Sequence, residues 1–186
     1  MTRFTPVTLA ALLCMAVPSA SGAAPRQQAP AAQPAELRDF VVNRAASPIR
    51  VDGLLDEPAW AAATVIEIGN EWFPGDNLTP PVATECLVTY DTDNFYVAFR
   101  AHDPDPGLIR AHLADRDTPF NDDTVGFMID PFNDRRRAFQ FRMNPLGVQM
   151  EASINDLDNA EDWAWDTIWE SAGRIMSWKP ACPFRR

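Results

Sequence analysis

The sequence predicts an all-β protein with a β-sandwich fold, and three features support this prediction. Short apolar segments with period-two alternation recur along the chain, polar turns of a few residues separate them, and no long amphipathic helix occurs. Short strands at this spacing are typical of two packed antiparallel sheets. A chain of 186 residues is long enough for one such domain plus extensions.

Residues 1–22 have the features of a secretory signal peptide. Arg3 supplies a positive start, "VTLAALLCMAV" an apolar run, and "SASGAA" the small residues of a cleavage site, which we place after Gly22. The apolar run is too short to cross a bilayer. Lipidation of Cys14 is a weaker alternative, because Leu13 before it is bulky. We therefore expect an exported protein, periplasmic, outer-membrane-associated or secreted, with no transmembrane helix after cleavage.

Composition divides the remaining chain into three parts. Residues 23–40 are rich in Pro, Ala and Gln and predict a flexible linker. Residues 41–178 carry the sandwich pattern. In residues 179–186, Lys179-Pro180 and Cys182-Pro183 disfavour a central strand, so we interpret this part as an anomalous tail, the end of a truncated or frame-shifted product that lacks C-terminal strands.

The stretch "IRVDGLLDEPAW" predicts the first structural unit of the sandwich. Residues 49–51 alternate as a half-buried strand, and Asp52-Gly53 is a turn pair. Asp56 can cap a helical turn that has Pro58 in its first positions. We expect this turn to carry Trp60 onto the sheet as a buried core residue.

The strands that follow are predicted from alternation and turn residues. "ATECLVTYD" and "FYVAFRAHD" form the clearest hairpin, closed by the turn "TDN". In its second strand, one face carries Phe95, Val97, Phe99 and Ala101. The later predicted strands are "DTVGFMIDPF", "RAFQFRMN", "GVQMEASI", "WDTIWESAG" and "RIMSW".

Charge and residue content exclude several classes of function. A net charge of −10 argues against binding nucleic acid or anionic lipid, because both need a surface rich in Lys and Arg. The histidines are His102 and His112, and no Ser-His-Asp set or glycine-rich phosphate loop is evident. Adjacent carboxylates on a strand, such as Asp122 and Asp123, point to opposite faces and make a poor acid–base pair. We therefore predict a protein that is not an enzyme.

Two cysteines remain after signal cleavage, Cys86 and Cys182. Export permits a disulfide. Because Cys86 lies in an alternating apolar run and Cys182 in the tail, two unrelated thiols are the favoured interpretation, and two cysteines are too few for a metal site.

Four segments in order, "IRVDGLLDEPAW", "TECLVTYDTDNFYVAFRAHDPDP", "DDTVGFMID" and "FQFRMNPLGVQ", resemble family 9 carbohydrate-binding modules. The resemblance covers roughly residues 41–174. It implies an immunoglobulin-like β-sandwich with a short helical lid that binds poly- or oligosaccharides without catalysis, in connection with carbohydrate catabolism. Relatives of this kind often lie at the front of larger exported proteins.

The sequence leaves three functional hypotheses open. The first is an exported carbohydrate-binding domain, which includes a module of a glycoside hydrolase. The second is the N-terminal fragment of a larger outer-membrane β-barrel protein, in which the domain has a structural or partner-binding role. The third, a hydrolase in its own right, is the least favoured.

The resemblance implies two sugar-contacting residues in this chain. Phe120 lies where the family has a stacking tryptophan, and Arg142 lies where the family has an arginine that donates to hydroxyls. The family's carboxylate in the strand after the stacking residue is replaced by Gly126, and its second stacking tryptophan comes from a later segment than this chain has. The alternative for Phe120 is a loop aromatic over a sheet edge, and for Arg142 an ion pair with Asp130 or Glu151.

The cluster "EDWAWDTIW" supplies a further aromatic surface. Trp163 and Trp165 would share a face on a strand. Core packing of these residues together with Trp169 is the favoured interpretation, and a substitute sugar-binding surface is the alternative. In the preceding segment, "NDLDNAED" (residues 155–162), a solvated acidic loop is the simplest interpretation, and a structural calcium site, common in the family, is the alternative.

Overall fold

Two antiparallel sheets make up the structure, a computed structural model that describes residues 38–70, 78–157 and 160–174 and the backbone of residues 177–183. The strands are β1 (Thr64–Ile68), β2 (Ala83–Tyr90), β3 (Asn94–His102), β4 (Val125–Ile129), β5 (Arg137–Met143), β6 (Gln149–Asn155), β7 (Ala160–Asp162), β8 (Glu170–Arg174) and β9 (Ser177–Pro183). One sheet has the order β1-β2-β3-β9-β8 and the other β4-β5-β6-β7. The predicted all-β sandwich is confirmed.

The main core lies between the two sheets. This core is a cluster of five buried side chains: Val97 and Phe99 of β3, Phe141 and Met143 of β5, and Trp169, which lies just before β8. Phe95 and Ala101 pack against this cluster, as the alternation in β3 predicts.

A second core cluster lies on the other face of β3. There Trp60 packs with Leu87, Tyr96 and Ala98. Trp60 comes from a short 3-10 helix, Pro58–Ala62, which covers this face of the sheet. The prediction that Trp60 is a buried core residue is confirmed.

The segment before this helix differs from the prediction in two respects. Residues 49–51 are not a strand, because the Arg50 N–H donates to the Glu57 carboxylate (2.9 Å). The residue that precedes the helix is Glu57, not Asp56, and no side chain caps the helix. Glu57 also accepts from the Trp60 indole N–H (3.0 Å), so its carboxylate orients the tryptophan instead of capping. The turn at Gly53 is confirmed by its positive φ of 80°.

The predicted hairpins are all present. β2 pairs with β3 and β4 with β5, and β6 follows as the third strand of its sheet. The Asp91 carboxylate closes the first hairpin by accepting from the N–H groups of Asp93 and Asn94 (both 2.8 Å). β1 was not predicted, although its sequence "TVIEI" has the expected β-branched residues.

The prediction that the proline-rich end of the chain cannot form a central strand is wrong. β9 lies between β3 and β8 and contains Pro180. Its pairing with β3 joins Tyr96 to Ala181 and Phe99 to Trp178 but includes no partner for Pro180. The strand therefore tolerates the missing N–H by interrupting one of its two ladders at that point.

Cys86 carries a free thiol that packs against the main core, and burial raises its pKa to about 11. The side chain of Cys182 lies outside the described residues, as do the predicted signal peptide and most of the predicted linker. Among the described residues, no helix has the length and apolar character needed to cross a membrane.

Candidate functional site

Three side chains from separate segments meet on the outer face of the four-stranded sheet. Phe120 comes from the loop between β3 and β4, Arg142 from β5, and Trp163 from the turn after β7. The ring centroids of Phe120 and Trp163 are 5.0 Å apart, and the guanidinium carbon of Arg142 lies 5.4 Å from the centroid of Trp163. Phe120 is 54% exposed and the other two are half-buried, so the group forms a surface open to solvent.

The sheet register places Arg142 at the centre of this surface. Arg142 lies between Gly126 of β4 and Met150 of β6. Gln140 precedes it by two residues and so shares its face. The Gln140 side-chain oxygen accepts from both Nε and Nη2 of Arg142 when the amide is oriented to satisfy its hydrogen bonds. Gln140 is buried and therefore holds the guanidinium against the sheet.

Neither ion pair considered for Arg142 occurs. The Asp130 carboxylate accepts from the N–H groups of Phe132 and Arg135 in the β4–β5 turn (both 2.8 Å). Glu151 pairs across the sheet with Phe141, not with Arg142, and so faces the core. Within the part of the chain that the structure describes, the partners of Arg142 are thus a neutral amide and an aromatic ring.

Gly126 leaves room that Arg142 fills. A Cβ atom at position 126 would lie 2.5 Å from the Phe141 carbonyl oxygen and 2.9 Å from Arg142 Cγ. Both distances are shorter than van der Waals contact, so a larger residue would displace the strand backbone or the arginine. A carboxylate therefore cannot take its place beside Arg142 without a rearrangement of the site.

Two anchors fix the loop that carries Phe120. Before it, the Asp117 N–H donates to the Gln149 carbonyl (2.9 Å), and the Asp117 carboxylate accepts from the Glu151 N–H (3.1 Å). After it, the Asp122 carboxylate accepts from the side chain of Asn144 (2.8 Å). Phe120 is thus held between β6 and the turn after β5.

Asp122 is the stronger of these anchors. Its carboxylate contacts His112 Nδ1 at 2.6 Å and accepts from the His112 backbone N–H at 2.8 Å. These contacts, with the hydrogen bond from Asn144, lower the pKa of Asp122 to about 2, the His112 side chain contributing most. Asp123 instead accepts from Arg110, so the two adjacent carboxylates do diverge, although they lie in a loop and not on a strand.

The prediction that Trp163 and Trp165 share one face of a strand is wrong. β7 ends at Asp162, whose carboxylate accepts from the Ala164 N–H (3.0 Å) and whose carbonyl accepts from the Trp165 N–H (3.4 Å). The resulting turn directs the two rings to different surroundings. Trp165 stacks on Phe139 of the core at 4.4 Å, and only Trp163 joins the surface group.

The rings of Phe120 and Trp163 form one continuous aromatic surface. They are edge to face, with 85° between their planes. A sugar stacked between two aromatic faces would need a separation of about 7–8 Å, two contacts of about 3.5–4 Å each. At 5.0 Å the rings leave no such gap, so a ligand would contact them from one side.

A second arginine–tryptophan group is centred on the buried Glu151. The Trp169 indole N–H donates to Glu151 (3.0 Å), and Arg116 forms ion pairs with Glu151 and with Asp166. Arg116 also donates to the Thr167 carbonyl (2.5 Å). Burial raises the pKa of the Glu151 carboxyl, against the opposing effect of its hydrogen bonds from Trp169 and Arg116. Trp169 is thus a core residue, as predicted.

The acidic loop gives no support for calcium in its described residues. Asn155 and Asp162 use side-chain oxygens to accept from the Leu157 and Ala164 N–H groups. No cluster of three or more metal-binding side chains is found in the described ranges, and residues 158–159 lie outside them.

A cleft of about 860 Å³ lies away from the aromatic surface. It is lined by residues 48–52 and 56–57, by Asn94 and Tyr96 at the start of β3, and by residues 168–170. None of Phe120, Arg142 and Trp163 lines it, so it is a separate feature of the fold.

Sequence reasoning missed the residues that orient the site. Gln140 could have been found, because strand alternation places it on the same face as Arg142. The role of Asp122 could not, since its partners His112 and Asn144 lie 10 and 22 residues away along the chain.

No protein-family model matches the chain, and no curated protein sequence matches it. Among solved structures, the chain is similar to a carbohydrate binding module family 9 (CBM9) from Caldicellulosiruptor kristjanssonii in complex with cellotriose. The TM-score is 0.46 and the sequence identity 15%, over 75% of this chain and 63% of the other. The chain thus spans less than two thirds of that neighbour.

Proposed function

We propose that the chain is an exported, non-catalytic domain that binds poly- or oligosaccharides on the surface formed by Phe120, Arg142 and Trp163. The observation that carries this proposal is the meeting of these three side chains from three separate segments on one open surface. Two of the three, Phe120 and Arg142, are residues for which the sequence resemblance implies a role in sugar binding.

The chemistry of the group suits a sugar. The C–H face of a pyranose ring is apolar and can contact the exposed Phe120 ring and the uncovered part of Trp163. The guanidinium of Arg142 can donate to neighbouring hydroxyls of the same sugar. Because both parts act on one side of the ligand, we expect weak binding, with Kd on the order of a millimolar.

The test is a titration of the folded protein with cellotriose and a panel of other oligosaccharides, followed by calorimetry or amide chemical shifts. We expect saturable binding that Phe120→Ala, Arg142→Gln and Trp163→Ala each weaken. The matched control is Phe132→Ala. Phe132 is also an exposed phenylalanine beside an arginine, with the Arg137 guanidinium 4.1 Å from its ring centroid, but it lies in the β4–β5 turn.

Two results would contradict the proposal. Binding that Phe132→Ala weakens and Phe120→Ala leaves intact would move the site to the β4–β5 turn. A folded sample that binds no sugar at tens of millimolar would favour the partner-binding role within a larger protein. Export is tested separately, since N-terminal sequencing of material recovered from the periplasm or medium should find a start near Ala23.

A further inference from the structure

We propose that this surface prefers sugars that carry a carboxylate, the uronic acids, over their neutral counterparts. The inference rests on the proposed function and specifies the class of sugar. It depends on the geometry of Gly126 and on two features of Arg142 within the described ranges, namely donors without an acceptor and no carboxylate partner.

The hydrogen bonds of Arg142 leave one edge of its guanidinium unused. Gln140 accepts from Nε and Nη2, which form the side edge of the planar group. The end edge, with one N–H from Nη1 and one from Nη2, has no acceptor among the described residues. Two parallel N–H groups in this arrangement match the two oxygens of a carboxylate.

The charge of Arg142 is also uncompensated within the described part of the chain. Arg100 and Arg116, whose side chains are 39% and 36% exposed, each have a carboxylate partner, Glu85 for the first and Glu151 for the second. Arg142 instead contacts a neutral amide and an aromatic ring. A partly buried cation is stabilised most by an anionic partner. On this surface, a carboxylate of the ligand would be that partner.

The close packing at Gly126 leaves no room for a carboxylate side chain of the protein at the position opposite Arg142. Gly126 lies directly opposite Arg142 in the sheet, and a Cβ atom there would be 2.9 Å from Arg142 Cγ. The net charge of −10 opposes an anionic ligand at long range, but screening limits that repulsion to about 8 Å at physiological salt. Contact with the arginine therefore decides the preference.

The experiment compares matched acid and neutral ligands. The protein is titrated separately with each member of two pairs. The first pair is trigalacturonate and its methyl ester, and the second is cellotriose carrying C6 carboxylates and cellotriose itself. We expect the acid of at least one pair to bind on the order of tenfold more tightly, the difference that a charge-assisted hydrogen bond provides. Arg142→Gln should remove the difference, and Arg142→Lys should keep part of it, because the charge remains and the paired donors do not. Phe120→Ala should weaken acid and neutral ligands by the same factor.

Each outcome separates this inference from the proposed function. Equal binding of acid and neutral ligands overturns the preference and leaves sugar binding standing. A preference that survives Arg142→Gln in a folded sample assigns the selectivity to another residue and overturns the inference. Failure of the folded wild-type protein to bind any of the four ligands overturns both.

Discussion

One arginine–tryptophan group of this protein is built around the buried Glu151 and another lies on the outer face of the four-stranded sheet, and the two differ in how their charges and hydrogen bonds are satisfied. In the first group, Arg116 forms an ion pair with Glu151, and the indole N–H of the buried Trp169 donates to the same carboxylate. In the second group, the partners of Arg142 among the described residues are the amide of Gln140 and the ring of Trp163. The Arg116 group pairs its charge and its indole N–H with a carboxylate of the protein and stabilises the fold. The Arg142 group leaves N–H donors and ring surface available for a ligand.

The largest expected difference between the groups is the effect of removing the tryptophan. Trp169 is 4% exposed, so Trp169→Ala should lower the free energy of unfolding by about 3–5 kcal/mol. Trp163→Ala should lower it by about 1 kcal/mol, the value of one aromatic pair, and should weaken sugar binding. Urea denaturation of both variants measures this. Equal losses of stability would contradict the division between core and surface groups.

The second difference concerns the polar partner of each arginine. Glu151→Ala leaves the buried Trp169 indole N–H and the Arg116 guanidinium without their shared acceptor and should cost roughly 2–3 kcal/mol. Gln140→Ala removes the hydrogen bonds between a neutral amide and the half-exposed guanidinium of Arg142 and should cost roughly 1–2 kcal/mol, and it should weaken sugar binding because Arg142 is no longer held in place. The comparison would fail if Gln140→Ala left sugar affinity at the wild-type value, since the amide would then have no orienting role.

Gly126 tests how tightly the surface group is assembled. Gly126→Ala should destabilise the protein by about 1–3 kcal/mol, because the new methyl group overlaps the Phe141 carbonyl and Arg142. Gly69→Ala is the matched control, since a Cβ atom there meets nothing within 4 Å and the change should stay within about 0.5 kcal/mol. Thermal melts of the two variants give the answer, and indistinguishable melts would show that the strands move apart at little cost.

The smallest expected effect is the pH dependence of the loop that carries Phe120. The pKa of Asp122 is lowered to about 2, so its stabilising contribution is complete above its ordinary pKa of about 3.9 and is lost as the pH falls towards 2. Acid titrations followed by near-ultraviolet circular dichroism should show this loss in the wild-type protein. Asp122→Asn should be less stable at neutral pH and should lack that part of the acid transition. The same acid transition in both proteins would exclude Asp122 as the anchor.

Much of the fold could be predicted from local sequence patterns. Alternation in β3 predicts which of its faces joins the main core, and the turn "TDN" predicts its pairing with β2. The central position of β9 could not be predicted, because Pro180 disfavours it locally and only the interrupted pairing with β3 accommodates it. Residues 49–51 show the opposite error, since their alternation predicts a strand that the structure does not have. Their apolar side chains pack against the Trp60 cluster without a neighbouring strand.

The members of the proposed surface could be named as candidates from the sequence, but their arrangement could not be predicted, and Trp163 lies on this surface although core packing was the favoured interpretation for it. Phe120, Arg142 and Trp163 were all identified as candidates, whereas Trp165 turned out to be a core residue. A turn at Asp162 separates the two tryptophans, and period-two reasoning does not apply across a turn. The edge-to-face contact of Phe120 with Trp163 joins residues 43 positions apart, for which the sequence contains no local signal.

The most direct test of the whole account is the tryptophan indole region of a two-dimensional amide NMR spectrum during a sugar titration. Saturating oligosaccharide should shift the Trp163 indole signal and the backbone signals of Phe120 and Arg142. The Trp169 indole, bonded to Glu151 in the core, should stay where it is. Shifts confined to residues 48–57 and 168–170 would place the ligand in the separate cleft and would contradict the assignment of the site.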